Sequence, residues 1–197
     1  MLTGTGGSSR EAMSRLSRVP LHTRHKKEPS HMSTLLLSVA VATFLCAVTT
    51  GMLVVFSVVV MPGIGSLPDR DYLQAFKVMD RIIQENDARF IGIWVGSIVS
   101  VLMAAIGAIG SSQGLALWLI AGAAVIWVLL VQVPTVMVNI PLNNTLQRTE
   151  IDTLSQRDAA EERLRFESRW VFWNGFRTVA GLVASAMLLV ALINLTQ

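Results

Sequence analysis

"LALWLIAGAAVIWVLLVQVPTVMV", residues 115–138, decides the fold. It contains no charged side chain, and a helix needs roughly 20 apolar residues to cross the hydrocarbon core of a bilayer. In lipid the backbone amides have no partners except one another, so such a run must be helical. Three further runs of the same kind lie at residues 32–61, 90–110 and 171–195. Together they predict an all-α protein, a four-helix transmembrane bundle, with the bilayer as its first partner. Composition agrees: 52% of the 197 residues are hydrophobic and 15% are charged, against roughly 25% charged in a soluble domain.

Immediately after this run comes "VNIPLNNTL", residues 138–146, which places Asn139, Asn143, Asn144 and Pro141 at the end of a segment built for lipid. Pro141 cannot donate a hydrogen bond and its ring crowds the preceding turn, and Pro134 does the same earlier in the run. The third span is therefore expected to be kinked or unwound at this end. Asn139 and Asn143, four residues apart, share one face wherever the helix persists. One reading makes them caps of a broken helix end or links between helices; the other makes them one wall of a pocket.

The start of the fourth span supplies the opposite wall. In "RWVFWNGFRT", residues 169–178, Trp170, Asn174 and Arg177 fall at i, i+4 and i+7, on one helical face. Arg177 lies about two turns into the apolar region, where an arginine costs a few kcal/mol unless it is paired, hydrated or snorkelling. Spans 3 and 4 meet at the same membrane face, so Asn139, Asn143, Asn174 and Arg177 can converge, with Trp170 and Trp173 as aromatic walls. Snorkelling of Arg177 and an interfacial belt role for the tryptophans are the alternatives. Such a cavity suits an oxygen-bearing aromatic or a lipid-like ligand.

The connections alternate in length. Spans 2 and 3 are joined only by "SSQG", which predicts an antiparallel hairpin. The other two connections, residues 62–89 and 139–170, are long and charged. In the first, Leu73, Phe76, Met79 and Ile83 recur at helical spacing, with Asp69 as a candidate N-cap. In the second, Ser155 and Asp158 fit a capping box, and a helix starting there is expected to run unbroken into span 4. Amphipathic helices are thus expected in both long loops. Within residues 32–197 carboxylates occur only in these loops, where solvation is the expected fate.

A shift of 79 residues superposes Pro62 on Pro141, Leu67 on Leu146, Asp71 on Glu150, Trp94 on Trp173 and Gly96 on Gly175. This pattern is that of two parallel span–loop–span repeats. Under the same shift Asn139, Asn143, Asn174 and Arg177 fall on Val60, Ile64, Val95 and Ile98. The scaffold of the first half does without these polar groups, which favours a functional reading of them in the second. Pro62, Pro134 and Pro141 are read as structural.

Residues 1–31 carry six basic and two acidic side chains, so the remaining 10 basic and 11 acidic residues sum to −1 although the whole chain is +3. The basicity belongs to a tail, and no nucleic-acid partner is expected. The division is a disordered basic tail over 1–31 and a four-helix membrane domain over 32–197. The tail reads as a transit-type targeting segment or as an extension ahead of Met32. An organelle membrane fits a transit segment, and the cytoplasmic (inner) membrane is expected if the source is bacterial. The two long loops hold nine Lys and Arg residues, which favours their placement in the cytoplasm if the tail is absent, whereas the six charges of a retained tail oppose it. All three histidines lie in the tail and Cys46 is the lone cysteine, so no disulfide, histidine-held haem or metal site is expected in the membrane part.

Three stretches taken together, "VFSVVVMPGIGSLP" (55–68), "VMVNIPLNNTL" (136–146) and "RWVFWNGFRT" (169–178), resemble the anthrone oxygenase-like integral membrane family. The resemblance implies four membrane helices. For pathway members it implies oxidation of an anthrone to an anthraquinone by molecular oxygen, with no identified cofactor. Asn139, Pro141, Asn143, Arg169, Trp170, Trp173, Asn174, Arg177 and Thr178 stand at the motif positions, while Gly175 and Phe176 stand where a histidine or another bulky residue is often found. Arg177 and the asparagines would stabilise an enolate oxygen; no base is identified. The rival expectation is a non-enzymatic membrane protein that binds a lipid or quinone-like ligand or assembles with a partner.

Overall fold

The computed structural model describes Met1 and residues 31–85, 87–111 and 114–197. The expected disorder of the tail lies outside the described residues. Residues 31–197 form one compact all-α unit. Four helices are long and apolar enough to cross a membrane, Met32–Gly65, Ala88–Gly110, Leu115–Arg148 and Gln156–Leu195, so the chain is a multi-pass membrane protein.

Span 1 consists of α1 (His31–Val55), a π-helical turn (Phe56–Val60) and α2 (Met61–Gly65). The first long loop carries α3 (Asp69–Gln84), and α4 (Ala88–Ser111) is span 2. Span 3 contains α5 (Leu115–Ile126), π-helical turns at Trp127–Gln132 and Thr135–Asn139, and α6 (Ile140–Arg148). A 3-10 turn (Ile151–Thr153) leads to α7 (Gln156–Leu195), which is span 4. At 1.5 Å per residue α7 is about 60 Å long, twice the bilayer core, so its charged first half projects beyond it.

Small and branched residues from all four spans, among them Val39, Ala104, Ala123 and Ala184, are sealed in the bundle centre. The outward faces carry Phe44, Val58, Ile109, Trp118, Met137 and Val179, all exposed. This pattern is inverted from that of a water-soluble bundle and matches helices solvated by lipid. Close approach is built in at Gly181, where a Cβ would stand 2.6 Å from Thr50 Oγ1. That glycine sets the separation of spans 1 and 4.

Span 3 does not end at Val138, as its amides and Pro141 suggested. It widens and continues as a helix to Arg148. The N–H of Ile140, just before Pro141, reaches back five residues to the Thr135 carbonyl. Val133 before Pro134 bonds Val128 in the same way, and Met61 before Pro62 bonds Phe56. Each proline ring clashes with the carbonyl four residues back, and adding one residue to the turn relieves the clash without breaking the helix. The π turns at Phe56–Val60 and Thr135–Asn139 are themselves 79 residues apart. The proposed repeat therefore extends to backbone geometry.

The long loops are organised unequally. In the first, α3 is a separate amphipathic helix whose buried face is Tyr72, Leu73, Phe76 and Asp80. Pro68, not Asp69, occupies its N-cap position, and Asp69 sits in the first turn, where a negative charge suits the helix dipole. The second loop has no free-standing counterpart to α3. Its amphipathic stretch is the start of α7 itself, capped as expected by Ser155, whose Oγ accepts from Asp158 N at 3.1 Å. Arg163 of α7 then clamps the end of span 1. It donates to the Gly65 and Leu67 carbonyls at 2.8 Å and to Asp69 and Glu167 at 3.1 and 2.8 Å, and it lies 4.3 Å from the Tyr72 ring centre.

Candidate functional site

The loop end of the bundle encloses a cavity of about 260 Å³, near the lower end of the range for small-molecule sites. Spans 1 and 3 are widened around it, because all three π turns supply lining residues: Phe56 from the first, Val131 and Gln132 from the second, and Thr135 and Asn139 from the third. Helix α3 closes the end with Phe76, Asp80, Ile83 and Gln84, and span 2 adds Phe90, Ile91 and Trp94. Most of the wall surface is aromatic or aliphatic, although nine of the twenty lining residues are polar or charged.

Five of the six residues singled out by sequence line this one cavity: Asn139, Asn143, Trp170, Asn174 and Arg177. The sixth, Trp173, is half-buried among Phe172 and Phe176 and is not part of the lining. One helical step of about 100° separates Trp173 from Asn174, enough to turn the indole off the inward face. Its repeat partner Trp94 is in the lining, where its Nε1 donates to Gln132 Oε1 at 2.8 Å.

Arg177 is only 5% exposed, so it does not snorkel. Its Nη2 donates to Asn174 Oδ1 and its Nη1 to Thr135 Oγ1, both at 2.9 Å, and its Nε has no partner. Among the described residues no carboxylate pairs with it. Asn174 is fixed in turn by span 1, donating to Ser57 Oγ at 2.8 Å and to the Leu53 carbonyl at 3.2 Å. The guanidinium is therefore oriented by neutral groups and its charge is left uncompensated. An arginine at membrane depth costs about 3 kcal/mol on insertion scales, a cost that an anionic ligand would offset.

Two more amides add open valences to the same wall. Asn139 donates to the Trp170 carbonyl at 3.4 Å, but its buried Oδ1 has no partner, and neither has Gln132 Nε2. Asn143 is engaged at both ends. Its Oδ1 accepts from Trp170 Nε1 at 2.9 Å, and its Nδ2 donates to Asp80 Oδ1 at 2.7 Å. Trp170 is buried against Phe56, Phe76 and Phe166, so this indole is a packed anchor and not a membrane-interface residue.

Asp80, Thr135, Gln132 and Trp94 are members of the site that the sequence reading did not select. Asp80 corrects the expectation that loop carboxylates are solvated: it is 2% exposed. The signal was present as Tyr72, Phe76 and Asp80 at i, i+4 and i+8, one stripe of α3. Alongside the cavity runs an apolar groove lined by Val48, Gly51 and Val55, which shares Met52, Phe56, Ile83 and Phe90 with it.

No curated protein and no solved structure matches this chain. The anthrone oxygenase family matches it over residues 79–187, more than half its length and including Asp80, the Asn-x-Pro-x-Asn turn and the start of span 4. Span 1 and Pro62 fall outside that match. The chain belongs to the anthrone oxygenase family.

Proposed function

We propose that this protein binds a weakly acidic, lipophilic aromatic ketone of the anthrone type and oxidises it with molecular oxygen. The observation that carries this reading is Arg177, a buried and uncompensated cation at the wall of an otherwise largely apolar cavity. A ligand that is neutral on entry and gains an oxyanion during reaction fits such a site better than a permanent anion, which would have to cross the apolar surround. The groove lined by Val48, Gly51 and Val55 gives it an approach from the bilayer.

In this reading the anthrone carbonyl faces Arg177. Removal of a methylene proton sends the electron pair into the ring system, and the carbonyl oxygen becomes an enolate held by the guanidinium, whose Nε is unpartnered, with Gln132 Nε2 as another unpartnered donor of the lining. Donors already aimed at a developing oxyanion are typically worth about 10²–10³ in rate. The carbanion transfers one electron to oxygen, the resulting pair combines as a carbon-bound peroxide, and loss of the second methylene proton breaks the O–O bond. The products are the anthraquinone and water, so one oxygen is consumed per anthrone.

Oxygen uptake by the purified, detergent-solubilised protein supplied with anthrone, with the quinone absorption followed in parallel, tests the reading. Uptake well above the buffer rate and one oxygen per quinone are expected. Tight ligand binding with no uptake above buffer would overturn the oxygenase reading in favour of a ligand-binding membrane protein.

A further inference from the structure

We infer that Asp80 is the base that removes the methylene proton; this rests on the anthrone reading of the cavity. Asp80 does not behave as a docking residue of an amphipathic helix. Its neighbours on the buried stripe of α3 are Tyr72, Leu73 and Phe76, and an apolar side chain in its place would seat the helix without burying a charge. A carboxylate taken out of water is costly unless its oxygens are supplied with donors.

The donors are present and all are neutral. Oδ1 accepts from Asn143 Nδ2 at 2.7 Å, and Oδ2 accepts from Gln147 Nε2 at 2.9 Å and Gln84 Nε2 at 3.1 Å. Asp80 forms no ion pair among the described residues, so its charge is supported without being cancelled. A carboxylate has about four lone-pair sites. Three are used, and the free one belongs to Oδ1, the oxygen bonded to the cavity-lining Asn143. The direction of that amide is set by Trp170 Nε1 on its oxygen. The chain Trp170–Asn143–Asp80 thus aims the carboxylate from a packed aromatic anchor.

Asp80 and Arg177 line one cavity without pairing, which leaves room for a ligand between them. In an anthrone the carbonyl and the methylene lie on opposite edges of the central ring. A molecule whose oxygen meets Arg177 therefore turns its acidic C–H toward the other end. There the C–H bond breaks, the proton passes to Asp80 Oδ1, and the electron pair delocalises onto the oxygen beside Arg177. No oxidation occurs in this step, so it proceeds without oxygen.

The test is exchange of the anthrone methylene hydrogens in heavy water under anaerobic conditions, with full-length protein in detergent and a buffer control. The wild type is expected to accelerate exchange, and Asp80→Asn to lower the catalysed rate about a hundredfold or more while a hydroxyanthraquinone still binds. Should Asp80→Asn fail to fold, Asp80→Glu and Asp80→Gln form a matched pair, of which only the carboxylate variant is expected to exchange. Exchange undiminished in Asp80→Asn, equal rates in Glu and Gln, or no catalysed exchange by the wild type each overturns the assignment. The parent reading fails separately: exchange without oxygen uptake in air keeps the base and removes the oxygenase, whereas oxidation persisting in Asp80→Asn does the reverse.

Discussion

Helix α7 carries two arginines on nearly the same face, 14 residues apart, that live in opposite surroundings. Arg163 is ringed by two carboxylates, two carbonyls and the face of Tyr72. Arg177 is more deeply buried, yet hydrogen-bonds only to Asn174 and Thr135 among the described residues and keeps Nε unpartnered. The first is a completed structural joint, and its charge is cancelled where it stands. The second is an incomplete one, and it lies where the helix borders a cavity. The contrast separates an arginine that holds the fold from one held by the fold.

Stability should divide along the same line. Arg163→Met is expected to cost about 2–3 kcal/mol, since it removes charge-assisted bonds that join span 1, α3 and α7; unfolding midpoints in detergent measure this. Arg177→Met should leave the midpoint within about 1 kcal/mol of wild type, because an unpaired buried charge is exchanged for a packed apolar chain. An equally large loss in both variants would erase the distinction. Gly181→Ala should cost about 2 kcal/mol by pressing Thr50 off span 4. It should also weaken ligand binding, because Arg177 lies one turn away.

Smaller effects bear on the loop side, where the joints are exposed. Ser155→Ala is expected to cost about 1 kcal/mol through loss of the cap on Asp158 N, with ligand affinity unchanged. Asp87 caps span 2, and the Arg89 side chain, followed by the Phe90 N–H, lowers its carboxyl to about 2 from an ordinary 3.8. A depressed folded-state value contributes stability that is present above 3.8 and lost as pH falls through 2. Asp87→Ala should therefore lower the unfolding midpoint slightly at neutral pH, and the gap to wild type should close as pH falls from 3.8 to 2, where the wild type loses the same contribution.

The four spans were legible because twenty-residue apolar runs admit one structure in lipid. The converging set was legible because polar residues at i, i+4 and i+7 stand out in an apolar helix: Trp170, Asn174 and Arg177 do meet Asn139 and Asn143. Trp173 was misread because aromatic residues are at home on either face of a membrane helix, so its identity carries no direction. Pro141 was read as kinking or unwinding the helix, since sequence period cannot distinguish a broken turn from one widened by a residue. Asp80 was hidden by its location in a loop, where most carboxylates are solvated. Only the docking of α3 turns its stripe inward.

Affinity for an ionised hydroxyanthraquinone, titrated into wild type and Arg177→Met under one set of conditions, tests most directly the claim that Arg177 awaits an organic oxyanion. The account predicts binding about a hundredfold weaker in the variant, close to 2.7 kcal/mol, with the unfolding midpoint preserved. Equal affinity in the two proteins would contradict it.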